Sequence, residues 1–205
     1  RDITEASFIV KFCRGNIDFK PGQHLVIAFP DTEKAREYSI YSGTKEDYLE
    51  ILVREVTDGK ISKTLHKLLP SDMLNVSGPF GYFLSDIIPP RSQPLLFIAS
   101  GTGIAPFHSF VRTYPEADYI IIHGIRSVNE AYGKEHYKKG RCITCTSNDQ
   151  QGDFQGRLTK YLKQKLFDKN SLVFLCGNND MIHDAINILT EKGFRNSDIF
   201  TEVYF

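Results

Sequence analysis

Residues 95–110 read LLFIASGTGIAPFHSF, and the rest of the chain arranges itself around them. Residues 95–99 form a continuous apolar run, the pattern of a strand covered on both faces. The run breaks at Gly101-Thr102-Gly103 and resumes with Ile104, Phe107, Phe110 and Val111 at helical spacing. Strand, tight glycine turn and helix in that order leave free N–H groups at a helix start, a place suited to phosphate. Gly101 lets the chain reverse, and Gly103, having no Cβ, lets another molecule approach the backbone. Pro106 stands where a third glycine is often found, and proline is tolerated in a first helical turn. A GxG by itself is also an ordinary structural turn, so its meaning depends on its surroundings.

Downstream, strand-like runs at 118–123, 141–146, 172–176 and 199–203 alternate with helical patterns at 105–113, 156–167 and 180–192. That alternation predicts a parallel sheet with covering helices. Ligands of such sheets lie at the carboxyl ends of the strands. This directs attention to Gly101, Thr102 and Gly103, to Gly124 through Arg126, to Ser147-Asn148, and to the stretch opening at Cys176.

Upstream the texture differs. Short strand patterns at 7–12, 24–29, 37–42, 48–56 and 73–77 are separated by turn signals, with one helical pattern at 61–69. Many short strands and little helix predict a small closed antiparallel barrel. The stiff stretch Pro89-Pro90-Arg91-Ser92-Gln93-Pro94 marks the boundary, giving a barrel domain at 1–90 and an α/β domain at 91–205.

Composition narrows the function. The 205 residues carry 25 Lys and Arg against 25 Asp and Glu, a formal net charge of zero. That balance gives no support to a nucleic-acid or membrane-surface role. No apolar run has the length of a membrane span, and the start of the chain lacks a signal-peptide pattern, so the expected setting is cytoplasmic. Four cysteines are too few for a disulfide framework. Cys142 and Cys145 form a CxxC inside an alternating run, where they fall on opposite faces of a strand, a poor arrangement for redox or metal chemistry. The six histidines show no metal-ligand spacing and read as core-edge or surface residues, so no metal is expected.

Five motifs then fall in order: Arg36-Glu37-Tyr38-Ser39, Gly59-Lys60-Ile61-Ser62, Gly78-Pro79-Phe80-Gly81, Gly101-Thr102-Gly103-Ile104-Ala105-Pro106 and Cys176-Gly177. In that order and spacing the chain resembles the ferredoxin–NADP reductases, particularly the bacterial type with an aromatic C-terminal pair, here Tyr204-Phe205. The resemblance implies an N-terminal FAD-binding barrel and a C-terminal Rossmann-like NADP-binding domain. It also implies an enzyme passing electrons between NADPH and a ferredoxin or flavodoxin by way of hydride transfer to flavin N5. The alternative is an NAD(P)H-dependent flavin reductase component serving an oxygenase or another acceptor. A monomer is expected.

The resemblance also assigns residues. Arg36 would hold the flavin diphosphate, for which its fork is chemically suited. Glu37 lies in the same motif, and Tyr38 offers a ring for stacking on the flavin. Ser39 would sit beside flavin N5. Leu52, Val53 and Arg54 correspond to a strand passing along the flavin, with Arg54 standing where an apolar residue is expected. Gly59, Lys60, Ile61 and Ser62 would meet the FAD pyrophosphate through helix-start N–H groups and the Ser62 hydroxyl. Thr102 and Phe205 complete the FAD set. Gly101, Thr102, Gly103, Cys176 and Gly177 would receive the nicotinamide dinucleotide. Arg126, Ser147 and Arg157 would read an adenosine 2′-phosphate, with Asn148 replacing an expected arginine, and NADPH is favoured over NADH. Ser39, Cys176, Glu202 and Tyr204 form the catalytic set. Tyr204 would cover the flavin face that nicotinamide must reach.

Overall fold

The computed structural model describes residues 1–30, 34–84, 86–89 and 92–204. Pro90 and Arg91 of the proposed boundary, and Phe205 of the proposed flavin site, lie outside the described residues.

The N-terminal half contains β1 (Asp2–Thr4), β2 (Ser7–Cys13), β3 (His24–Ala28), β4 (Ala35–Ser39), β5 (Tyr48–Arg54), α1 (Lys60–His66) and β6 (Asn75–Phe80). They form two antiparallel three-stranded sheets, ordered β1-β2-β5 and β4-β3-β6. The barrel expected from the turn spacing is thus two sheets joined by a bridge between Ile40 and Ile51. Between them Phe8, Leu25, Ile27, Ile40, Leu49, Ile51 and Val53 form one core, closed by Ile61 and Leu65 of α1. The fourth strand ends at Ser39 rather than 42, because Ile40 leaves β3 and β4 to bridge to Ile51.

From Leu95 every pairing is parallel. The elements are β7 (Leu95–Ser100), α2 (Ala105–Thr113), β8 (Tyr119–Ile125), β9 (Cys142–Thr146), β10 (Phe154–Gln155), α3 (Leu158–Gln164), β11 (Leu172–Gly177), α4 (Asn179–Glu191) and β12 (Ile199–Val203). The sheet order is β10-β9-β8-β7-β11-β12. The order reverses between β7 and β11, so a crevice opens beyond their carboxyl ends. The two-residue edge strand β10 is new relative to the sequence reading, being too short for any periodic signal.

Period-two alternation sends β7 into two cores. Leu95, Phe97 and Ala99 face one, and Leu96 and Ile98 face the other under α3 and α4. In the same way Leu172, Phe174 and Cys176 of β11 share the first face, and Val173 and Leu175 the second. Cys142 and Cys145 likewise fall on opposite faces of β9. The first core is shared with the N-terminal half through Tyr41, Leu52 and Leu84.

Polar groups on α2 fasten that junction. His108 Nδ1 donates to the Tyr41 carbonyl at 2.8 Å, and Ser109 Oγ to the Ser42 carbonyl at 2.7 Å. The Tyr41 and His108 rings stack with centroids 3.7 Å apart. Burial holds the His108 imidazole down to about 3. His108 and His123 are both fully buried, which corrects their reading as core-edge or surface residues. Each lies on an element whose surroundings, not its own sequence, decide exposure.

Candidate active site

At the crevice the two halves meet side chain to side chain. Ser39 ends β4 and is 4% exposed. Its hydroxyl lies 3.4 Å from Glu202 Oε2 and receives a short hydrogen bond from the Tyr204 hydroxyl. Cys176 Sγ lies 3.8 Å from the same Glu202 oxygen. The register explains this convergence. Cys176 is paired with Glu202 across the parallel β11–β12 ladder, so both side chains leave on one face. Tyr204 follows two residues later and is held by its N–H to the Gly177 carbonyl at 2.9 Å.

Burial dominates the electrostatics of this cluster. It pushes the Glu202 carboxyl up to about 7, against hydrogen bonds from Ser39 and Cys176 that act downward. It pushes the Cys176 thiol and the Tyr204 phenol well above their ordinary ranges, and both are neutral at pH 7. Glu202 is therefore the member of the four able to change protonation near neutrality.

The glycine turn sits directly below. Gly101 has φ +54°, and a Cβ there would meet nothing within 4 Å, leaving open space for a ligand. Gly103 is different. A Cβ on it would lie 2.4 Å from the Cys176 carbonyl, so its missing side chain serves close packing of the turn on β11. The space expected for an approaching molecule is thus also required by β11 itself. Gly177, at φ +134°, has Ser100 Oγ where its Cβ would be, and that hydroxyl also accepts from Asn178 N at 2.9 Å. In sequence Ser100 lies just past the apolar run 95–99 and carries no signal of this role, whereas the structure extends β7 to include it.

The remaining candidates lie on both sides. Arg36 is exposed and donates to the Ala35 carbonyl at 2.9 Å. Tyr38 is half-buried, and its phenol is pushed up to about 12 by burial. Glu37 is exposed, with its carboxylate 3.9 Å from His24 Nε2. Leu52, Val53 and Ile61 turn their side chains into the cores, so only their backbone groups can face a ligand. Arg54 is half-buried beyond them. No side chain caps α1 at Gly59, and Lys60 is exposed beside its first turn. The Ser62 hydroxyl, assigned from sequence to an anion, is occupied locally by Val56 N at 3.2 Å and the Gly59 carbonyl at 3.4 Å.

Arg126, Ser147 and Arg157 gather at one edge of the parallel sheet. Ser147 N bonds the Ile125 carbonyl at 3.1 Å, Asn148 N the Arg126 carbonyl at 2.8 Å, and Gly156 N the Thr146 carbonyl at 2.7 Å. All three candidate side chains are exposed there.

Comparison with known proteins bears on this arrangement. Residues 1–84 match the oxidoreductase FAD-binding domain, and residues 97–186 match the oxidoreductase NAD-binding domain. The flavodoxin/ferredoxin–NADP reductase of Buchnera aphidicola is 30% identical over 173 residues, covering 73% of this chain and 67% of that protein. The chain belongs to the ferredoxin–NADP reductase family. It is also 24% identical to the toluate 1,2-dioxygenase electron transfer component of Pseudomonas putida, covering 100% of this chain and 65% of that protein. A ferredoxin–NADP+ reductase structure from Neisseria gonorrhoeae shares the fold with TM-score 0.82 and 24% identity, covering 99% of this chain and 94% of the other. Three curated relatives are longer, and the chain spans 51% to 65% of their lengths. Among the described residues, no helix is long and apolar enough to cross a membrane.

Proposed function

We propose that this chain passes electrons between NAD(P)H and a one-electron carrier, with FAD held by the N-terminal half and the nicotinamide at the β7–β11 crevice. The observation that carries this reading is the meeting of Ser39 from one half with Cys176, Glu202 and Tyr204 from the other. The exposed Arg36 and Lys60 and the uncapped start of α1 fit the diphosphate of FAD. Tyr38 and Tyr204 offer the flat rings on either side. The open space beside Gly101 fits a dinucleotide backbone. When bound, FAD supplies hydride exchange with the nicotinamide and single-electron exchange with the carrier.

The chain's own groups orient and shield. Ser39 Oγ presents a small polar contact beside the ring system. Glu202 Oε2, shared by Ser39 and Cys176, holds or releases a proton near neutrality. Tyr204 covers Ser39 and has to move aside for a second ring to approach. The neutral Cys176 and the backbone of Gly177 line the opposite wall.

NADPH is the proposed nicotinamide, because the arginine forks of Arg126 and Arg157 at one exposed edge suit a 2′-phosphate. A ferredoxin or flavodoxin is the proposed acceptor. A second reading, a reductase component feeding an oxygenase, is supported by the likeness to the toluate dioxygenase component. Steady-state turnover of the FAD-loaded chain with NADPH separates them. Rapid reduction of a ferredoxin or flavodoxin is expected. Turnover only with an oxygenase component would favour the second reading, and none with any carrier would remove both.

A further inference from the structure

His123 occupies an unusual place for a histidine. It sits within β8, registered between Ala99 of β7 and Thr144 of β9, and is fully buried. Its Nε2 reaches past its own strand to the Gly101 carbonyl at 2.8 Å. A carbonyl only accepts, so the hydrogen is on Nε2 and Nδ1 is bare. Nδ1 is buried and finds no hydrogen-bond partner among the described residues. A leucine would fill the same core without leaving a polar atom unpaired, which makes packing alone a poor account of this residue.

The bond ends on the residue that begins the glycine turn. Gly101 takes its φ of +54° there, and the next residues carry the turn to Gly103, which is wedged against the Cys176 carbonyl. The turn is thus held from two sides, by Cys176 through packing and by His123 through a hydrogen bond. The His123 ring also lies 5.9 Å from that of Tyr132, whose hydroxyl bonds Ser7 Oγ of β2 at 2.8 Å. A buried line therefore runs from the N-terminal sheet to the turn.

We propose that His123 is a positioning residue for the nicotinamide dinucleotide, fixing the Gly101 carbonyl and so the direction in which the turn's N–H groups point. The proposal rests on the reading of the crevice given above. It assigns His123 to binding rather than to hydride transfer. Burial holds the imidazole down to about 4, so the bond keeps one form across the neutral range.

The test is anaerobic stopped-flow reduction of the FAD-loaded protein by NADPH, read as an apparent Kd and a limiting rate. His123→Leu and His123→Asn, neither able to reach Gly101, should each raise the Kd about tenfold, the scale of one lost buried hydrogen bond. Their limiting rates should stay within about threefold of the parent, the range expected when only ground-state binding changes. His123→Gln, whose amide can replace the Nε2 donor, should restore the Kd. In the parent protein, histidine 15N signals followed during NADP+ titration should show an Nε2–H tautomer that shifts as the ligand binds. An unchanged Kd in the Leu and Asn variants overturns the proposal. So does a loss confined to the limiting rate, or a His123 signal indifferent to NADP+ should the variants not fold. If the parent flavin is not reduced by NADPH or NADH, the functional reading itself falls, and this proposal with it.

Discussion

The crevice cluster and the exposed edge at Arg126, Ser147 and Arg157 lie on the same parallel sheet but are built in opposite ways. The cluster is self-bonded, with Ser39 and Cys176 buried and Glu202 and Tyr204 half-buried: Ser39, Cys176 and Tyr204 all answer to one another or to Glu202. The edge is tied by backbone bonds and by a few local side-chain bonds, such as Arg126 N to Glu130 Oε2 at 3.2 Å, and its three candidate side chains are exposed. Where side chains are desolvated and share partners, a change in one is transmitted to the others. Where they are solvated and separate, each should act for itself.

The largest effect is expected where the turn packs on β11. In Gly103→Ala the new Cβ would meet the Cys176 backbone at 2.4 Å. Forcing this contact should cost about 3 kcal/mol, toward the upper end of overpacking penalties, in urea unfolding. A loss under about 0.5 kcal/mol, the range of neutral surface changes, would mean the turn can slide and the crevice is not tightly set.

Next is Glu202. Its carboxyl titrates at about 7 in the folded chain against an ordinary 4.5. The folded state therefore binds the proton more tightly. Stability from this group is greatest below about pH 4.5 and is lost as pH rises through about 7. Glu202→Gln has no charge to bury. The FAD-free variant should gain on the parent by about 2 kcal/mol between pH 5 and pH 8 in urea unfolding. A constant difference across that range would place Glu202 in water, contrary to the cluster described here.

At the edge, Arg126→Ala should weaken NADPH about tenfold, the worth of one charge-assisted contact, and leave NADH unchanged. Equal losses for both would show that Arg126 does not read the 2′-phosphate. Arg157→Ala should weaken NADPH only about threefold, the worth of an exposed ion pair. The double variant should show the sum of the two free energies, whereas coupling beyond about 0.5 kcal/mol would erase the contrast between edge and cluster.

Much of this was legible in the sequence, for identifiable reasons. The strands of the parallel half carry uninterrupted apolar runs because both faces are covered, so β7 and β11 declare themselves, and β12 ends where its pattern ends. The barrel strands are less clear. The fourth begins at Ala35 and stops at Ser39 because a bridge, not a pattern, diverts Ile40. In the site, the two-residue spacing predicts that Glu202 and Tyr204 share one face, and in the structure both side chains reach Ser39. Three features were illegible. Nothing local distinguishes a glycine that admits a ligand from Gly103, which admits a neighbouring strand. Nothing in IIHGI tells that His123 reaches across to Gly101, and Ser62 looked free because its partners, Val56 and Gly59, are supplied by the folded loop.

The claim beneath all of this is that the two halves meet at Ser39 and Cys176 to hold a flavin against a nicotinamide. Anaerobic titration of the FAD-loaded chain with NADPH, followed through flavin absorbance, addresses it most directly. Full bleaching at about one equivalent is predicted, as expected for a two-electron hydride donor. Failure to take up FAD, or bound FAD whose absorbance is unmoved by either nicotinamide, would contradict it.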